Sequence, residues 1–472
     1  MADGRRRDLW ALALAATVVR LPAILSSRHL SFDDGVYGAT ALAMRDGARP
    51  YRDVFSSQGP LHHPMLFVAD VVGLRTSVAP RLLSLAAGIV ITLCTYLAAR
   101  AVADRRAALV AAVLVTTSGS VLAVTTGVSG DGPAIAFAIA AVAVALSSRE
   151  HAGWVRPVAA GLLVGCACAV KLLAGPVVVP VALCLLARRR PVHLVAAGVV
   201  AVAVPLLLAA PFGWSRVFDQ SVRYHREARR YTVGEAAWRV VTTLVERDPF
   251  VIVTAVLVLA VALTARAHWR APDRPWWQRP GTAFGAWLTL QVGMLLTESA
   301  MWRPHVSGLI VPLCLLAALR LPAWRPLVVG WIVATPIWIV GVGGIVRPGG
   351  YRGEDEKLAE RLRALPDRAV VVTDEPGFAW RAGLRVPDGL VDVSVKQFEQ
   401  GRITEDDVRR ATRDRHTCAV LVTSDERLGR ASGTLESLAS AGYEPVWSDG
   451  DTPYRDGRLR PGQRVLFLRD CR

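Results

Sequence analysis

Apolar runs of about twenty residues recur along the chain from residue 8 to residue 346, the length an α-helix needs to cross a bilayer. Arginines or Gly/Pro-broken polar stretches separate them. The windows predict about eleven membrane-spanning helices. They lie near residues 8–26, 78–99, 107–123, 131–147, 157–172, 174–187, 193–211, 249–265, 281–297, 305–319 and 325–346. Several are short, and the sixth reads equally as a hairpin partner of the fifth. The first run, "LWALALAATVVRLPAILSS", is too long for a signal-peptide core and lacks a small-residue cleavage site, so it reads as a retained span.

Beyond residue 350 the pattern changes. "AVVVTD" (369–374), "CAVLVTS" (418–424) and "RVLFLRD" (464–470) have the short β-branched character of strands. "TEDDVRRATRD" (404–414), with Thr404 as its N-cap, and "GTLESLASAG" (433–442) predict helices. The expected fold is therefore mostly α. A polytopic helical domain spans residues 1–346, and a small extracytoplasmic α/β domain spans 347–472.

Charge fixes the expected orientation. Arg5–Arg7, Arg100/Arg105/Arg106, Arg149/Arg156, Arg188–Arg190, Arg266/Arg270/Arg274/Arg279 and Arg320/Arg325 all fall on one side of the predicted spans. The positive-inside rule makes that side the cytoplasm, with the N-terminus on it. The net charge of +16 sits at the ends of apolar runs, not in one patch, and no nucleic-acid motif accompanies it, so a nucleic-acid partner is not expected. The outer face receives residues 27–77, the Asp131 turn, residues 212–248 and everything after 346. Loop 212–248 breaks the rule, for it holds Arg216, Arg223, Arg226, Arg229, Arg230 and His225. Arginines stranded outside suit an anionic ligand.

The candidate chemistry gathers at the same face. In "SFDDGVYGATAL" (31–42), Asp33 and Asp34 open an amphipathic segment that places Val36, Thr40 and Ala43 on one face, as in a helix lying along the membrane interface. Either acid serves as a helix cap, or the pair forms a base and the group that tunes it. His62 and His63 follow in a Pro/Gly-broken loop, as ligands or as amphipathic filler. Asp131 sits in a Gly-flanked turn at the mouth of a span, as an N-cap or as a second acid near hydroxyl groups. Lys171 is one of only three lysines among 55 basic residues, with Lys357 and Lys396, and is alone among them in the membrane region. Snorkelling explains a lysine there, but its scarcity also suits a compact point charge for phosphate. Glu298, Arg303 and His305 reach the outer mouth of the tenth span. These groups lie at span ends and not at mid-membrane, where an ion-coupled transporter would bury them.

"DDGVYGATALAMRDGARPYRDVF", with Arg20 before it and Tyr37 within it, resembles the first outer loop of GT-C fold membrane glycosyltransferases of the protein-mannosyltransferase and aminoarabinose-transferase type (glycosyltransferase 39/83-like). "SGDGPAIAF" resembles their second acidic motif, "GLLVGCACAVKLLAGPVVVP" the glycine-and-lysine segment, and "RPHVSGLIVPLCLLAAL" the late span. The likeness covers about residues 8–346, and the tail resembles outer domains of actinobacterial members. Two departures stand out: the second acid is Asp34 where the family often has Glu, and the late span lacks the usual aromatic.

The resemblance implies transfer of a sugar from a polyprenyl-phosphate donor to a hydroxyl on a protein, lipid or polysaccharide acceptor, with inversion. Asp33 would be the general base, and Asp34 would orient the acceptor or hold Asp33. Lys171 would meet the phosphate, with Arg223, Arg226, Arg303 and His305 as further contacts. Tyr37, Asp131, His62 and His63 would face the sugar or acceptor. No cofactor is required; a divalent metal on Asp33 and Asp34 fits some relatives, although a monophosphate donor makes it unnecessary. A flippase or transporter of lipid-linked sugar and a non-catalytic envelope-assembly protein are the alternatives. Five of the seven cysteines lie in apolar spans, while Cys418 and Cys471 lie in the tail. A disulfide between those two is expected if their strands are antiparallel neighbours.

Overall fold

The computed structural model describes residues 2–147, 153–187, 191–228, 231–264, 275–298, 301–449 and 462–470. From the N-terminus, α1 (Ala2–Ile24) leads to α2 (Phe32–Arg45) and α3 (His62–Val72). There follow α4 (Leu82–Val102), α5 (Arg105–Thr117), α6 (Gly119–Thr126), α7 (Asp131–Ser147), α8 (Val155–Val170), α9 (Val178–Leu186) and α10 (Pro191–Ala209). Two short helices, α11 (Trp214–Phe218) and α12 (Tyr224–Arg226), precede α13 (Val233–Arg247), α14 (Pro249–Thr264), α15 (Pro280–Thr297), α16 (Ser307–Ala318) and α17 (Trp324–Val346).

Each predicted apolar window falls on a helix or a broken pair. Among the described residues, three helices are long and apolar enough to cross a membrane: Ala79–Val102, Pro191–Phe212 and Trp324–Val346. The α5–α6 pair makes a fourth if its 58° bend is one broken span. The bend has a cause: Ser118 caps α6, and the Ser118 and Ser120 hydroxyls both donate to Asp248 at the start of α14. Other windows, such as Asp131–Ser147 and Val155–Val170, form shorter apolar helices. Alanine and valine dominate the buried contacts between α4, α5, α7 and α8. Such small side chains let helix backbones approach closely, which is how helices associate where lipid removes the hydrophobic drive.

The C-terminal region contains α18 (Glu354–Arg363), β1 (Val370–Thr373), α19 (Pro376–Ala382), α20 (Val395–Glu399), α21 (Glu405–Arg413), β2 (Thr417–Val422), α22 (Ser432–Glu436), β3 (Glu444–Ser448) and β4 (Val465–Leu468). The strands form one sheet in the order β1-β2-β4-β3, with β1 and β2 parallel and the other pairs antiparallel. The three expected strands are present; β3, with Pro445 inside it and an irregular register, was not expected. Thr404 caps α21 in a reciprocal capping box with Asp407. The helix expected over 433–442 is shorter, because it breaks after Glu436 into a 3₁₀ turn at Ala439–Ala441.

The helix α2 corrects the picture of a segment lying on the membrane interface. Residues Asp34 to Ala41 are buried, because α19 of the C-terminal region packs on them. The approach is close enough to require glycine: a Cβ at Gly35 would lie 2.6 Å from the Gly377 nitrogen, and one at Gly38 would lie 2.1 Å from the Trp380 ring.

Candidate active site

Ser31, not either aspartate, caps α2, and both acids sit in its first turn. Consecutive helical residues point about 100° apart, so the two carboxylates enter different surroundings. Asp34 is fully buried. Its Oδ1 accepts from Val128 N at 2.7 Å and Arg81 Nε at 3.3 Å, and its Oδ2 from Leu30 N at 2.8 Å and Arg81 Nη2 at 2.6 Å. Four donors saturate a carboxylate. Asp34 therefore has no lone pair for an acceptor or a metal, which corrects its expected role in orienting acceptor. It holds the first turn of α2, and with it Asp33, in agreement with the alternative role. Arg81 is also fully buried and donates to the carbonyls of Ala23, Ile24, Ser26 and Arg28, clamping the end of α1 to the starts of α2 and α4.

Asp33 is the open member. Among the described residues its carboxylate has no hydrogen-bond partner, and it lines a cavity of about 170 Å³ with Arg28, Ser31, Ser129 and Arg247. The side chain is exposed in that cleft, yet protein is dense around it. This desolvation pushes the Asp33 carboxyl above its usual range, with Lys171 opposing the shift and Asp131 adding to it.

Lys171 and Asp131, expected to serve phosphate and hydroxyl groups separately, meet as an ion pair. Lys171 forms the C-cap of α8, where the chain breaks toward α9. Its Nζ donates to Asp131 Oδ2 at 2.7 Å. Asp131 opens α7 and also contacts Ser129 through its backbone N–H and Oδ2. One carboxylate cannot use three ammonium donors, so Lys171 keeps capacity for a second anion. It borders a cavity of about 280 Å³ shared with Ser57, His225, Arg226, Glu298 and Met294. His305 joins the cluster, with Nδ1 2.8 Å from Glu298 Oε2.

The remaining candidates divide. Arg226 reaches the Lys171 cavity. Arg223 is exposed and paired with Glu227 at 2.6 Å, and Arg303 is paired with Glu246 at 3.1 Å, so neither offers a free fork to the cavity. Arg229 and Arg230 lie outside the described residues. Tyr37 is buried and its hydroxyl accepts from Gln58 Nε2 at 2.5 Å. His62 and His63 are neither surface filler nor open to ligand: both are buried, with His62 edge-on to Tyr37 at 4.7 Å. Burial lowers the pKa of His62 well below the usual histidine value and that of His63 to about 4. Neutral rings under Tyr37 pack the floor and do not pair with phosphate. With Asp34 saturated, the two residues do not fit a metal chelated by the aspartate pair.

Sequence reasoning missed what the C-terminal region contributes. Asp392 and Lys396 lie within electrostatic reach of Asp33, and Lys396 also of Lys171 and Glu298. The scarcity of lysine was the available signal: two of the three lysines in the chain converge here.

Another cavity, of about 1170 Å³, lies elsewhere, between Arg45 and Asp46 at the end of α2 and the C-terminal region. It holds none of the residues above.

A helical membrane body with acids and cations at one end, capped by a small α/β region, is the architecture of the GT-C glycosyltransferases, and comparison with known proteins places the fold there. A family model described as dolichyl-phosphate-mannose-protein mannosyltransferase matches residues 64–214. The structure is similar to ArnT from Cupriavidus metallidurans, solved with undecaprenyl phosphate, at a TM-score of 0.65 and 15% identity over 99% of this chain and 98% of that one. It is also similar to the oligosaccharyltransferase of Archaeoglobus fulgidus, at a TM-score of 0.56 and 12% identity over 91% of this chain and 69% of that one. The archaeal enzyme, AglB, has likewise been solved with an inhibitory peptide and a dolichol-phosphate. Comparison with curated proteins gave no match.

Proposed function

We propose that this chain is an inverting glycosyltransferase that moves a sugar from a polyprenyl-phosphate donor to a hydroxyl acceptor on the extracytoplasmic face. The observation that carries the reading is the division of labour around Asp33. An unpaired carboxylate opens on one cavity, and an ammonium with spare donors borders another, within electrostatic reach. That arrangement suits a displacement that needs a base for the acceptor and a cation for the leaving group.

The acceptor oxygen forms the new bond to the anomeric carbon while its proton passes to Asp33. The bond from that carbon to the phosphate oxygen breaks, and its electron pair leaves with the phosphate. Lys171 and Arg226 stabilise the charge that develops there. Positioned proton removal typically contributes about 10²–10⁴-fold. The apolar wall of the Lys171 cavity, Leu172, Leu173 and Met294, suits the first isoprene units of a lipid tail. The matched structures that hold undecaprenyl phosphate and dolichol-phosphate support this reading of the donor.

Asp33→Asn tests it. The amide is nearly isosteric and cannot take the proton, so donor binding should persist while transfer of label from a polyprenyl-phosphate sugar falls about 10²-fold or more. Turnover within a few-fold of wild type would remove Asp33 from the base role. Translocation of lipid-linked sugar by wild-type protein, with no transfer to any acceptor, would favour a transporter instead.

A further inference from the structure

Residues 391–402 of the C-terminal region pack on the segment 212–248, which carries Arg226. Ser394 Oγ lies 3.1 Å from the Tyr224 hydroxyl, Gln400 Nε2 donates to the Tyr224 carbonyl at 2.8 Å, and Arg402 grips Asp219 through two bonds of 2.7 and 3.1 Å. Between these anchors α20 carries Lys396. Its Nζ lies 5.6 Å from the Tyr224 ring centre and 5.9 Å from that of Trp302. Two aromatic faces hold an ammonium without consuming its N–H donors. Among the described residues no carboxylate forms a salt bridge with it. Glu298, the largest attractive charge it feels, is already paired with His305.

We infer that Lys396 is a second ammonium of the donor phosphate site, so that the C-terminal region completes the site and donor binding is coupled to its docking. This rests on the proposed glycosyl-transfer reading. Lys171 and Arg226 line one cavity with Glu298, and Lys396, from a third element, feels the charges of both Lys171 and Glu298, where like charges repel. Lys171 is among the groups that lower the Lys396 pKa, behind the burial that is the main cause. The acids facing Lys396 are Glu298, Asp392 and Asp33. Glu298 is occupied, Asp392 is engaged by Ser394, and Asp33 serves the acceptor side. A phosphate offers the oxygens that these cations lack, and a compact ammonium suits it as a point charge. The chain's usage agrees: it writes arginine almost everywhere, and keeps lysine at 171, at 396 and, exposed and paired with Glu354, at 357.

The test measures binding of undecaprenyl phosphate to the full-length protein in lipid nanodiscs. Lys396→Met should weaken it about tenfold or more, the size of a hydrogen bond to a charged group, while Lys357→Met leaves it unchanged. Hydrogen exchange on the wild type supplies the measurement that no misfolded variant can obscure. Undecaprenyl phosphate should protect residues 391–402. Protection by inorganic phosphate as well assigns the effect to the headgroup, and protection by inorganic phosphate alone would overturn the donor assignment. Binding by Lys396→Met within twofold of wild type, or no protection of 391–402, overturns this inference and leaves the glycosyl-transfer reading standing. Failure of the wild type to bind undecaprenyl phosphate at all overturns both.

Discussion

Asp33 and Asp34 are chemically identical neighbours with opposite fates. Asp34 spends every lone pair on Arg81 and two backbone N–H groups, and the ion pair is wholly buried. Removing one charge of such a pair leaves the other stranded, at a cost of about 3–5 kcal/mol. Asp34→Asn should therefore lower the thermal stability of the detergent-solubilised protein strongly, whereas Asp33→Asn should barely move it. Comparable melting of the two variants would mean the clamp is not structural. Asp33 makes a pH prediction. Desolvation by the surrounding protein, the largest cause, raises its carboxyl above 3.8, and a base works only when ionised. Transfer should fall as pH drops through that raised value, at higher pH than an exposed aspartate would give. A pH profile of kcat/KM reads this; an acid limb at or below 3.8 would place the titration elsewhere. At Lys171 the point charge matters as well as its sign. Lys171→Arg should weaken donor binding, and Lys171→Met should abolish transfer and also destabilise the fold, because Asp131 is then buried without its cation. Normal processing of donor by Lys171→Met would make the lysine a snorkelling residue.

At the scale of elements, the contact between α2 and α19 decides where the site ends. Gly38 meets the Trp380 ring so closely that a methyl group has no room. Gly38→Ala should cost about 1–3 kcal/mol through overpacking and loosen the C-terminal region, raising proteolytic cleavage around residues 391–402. The double variant Gly38→Ala/Trp380→Leu should recover part of the loss. If it recovers none, the clash lies elsewhere. Helix α2 was legible as amphipathic, with Val36, Thr40 and Ala43 on one face. Its partner was not, because amphipathicity records that a face is covered and not whether lipid or protein covers it.

For the whole molecule, the antiparallel pairing of β2 with β4 meets the condition set for a disulfide in the tail. Cys418 is disulfide-bonded and the five cysteines of the helical part are free, while Cys471 lies outside the described residues. Non-reducing peptide mapping should yield a Cys418–Cys471 linked peptide. Reduction should destabilise the C-terminal region by about 4 kcal/mol, the chain-entropy value for a loop of about 50 residues. Free alkylation of Cys418 without reductant would contradict it.

Apolar windows, alternating arginines, the aspartate pair and the scarcity of lysine were readable because each is a local or compositional signal. They determined a helical membrane body and the resemblance to GT-C glycosyltransferases, and pointed to the candidate acids and cations. Tertiary structure alone decided which aspartate stays free, because that depends on Arg81 and Val128 arriving from other helices. It alone buried His62 and His63, diverted Arg223 and Arg303 into surface pairs, and brought Asp392 and Lys396 to Asp33 from a distant part of the chain. Sequence spacing specifies neighbours along an element. Contacts between elements are fixed by packing and charge pairing, which no pattern along the chain records.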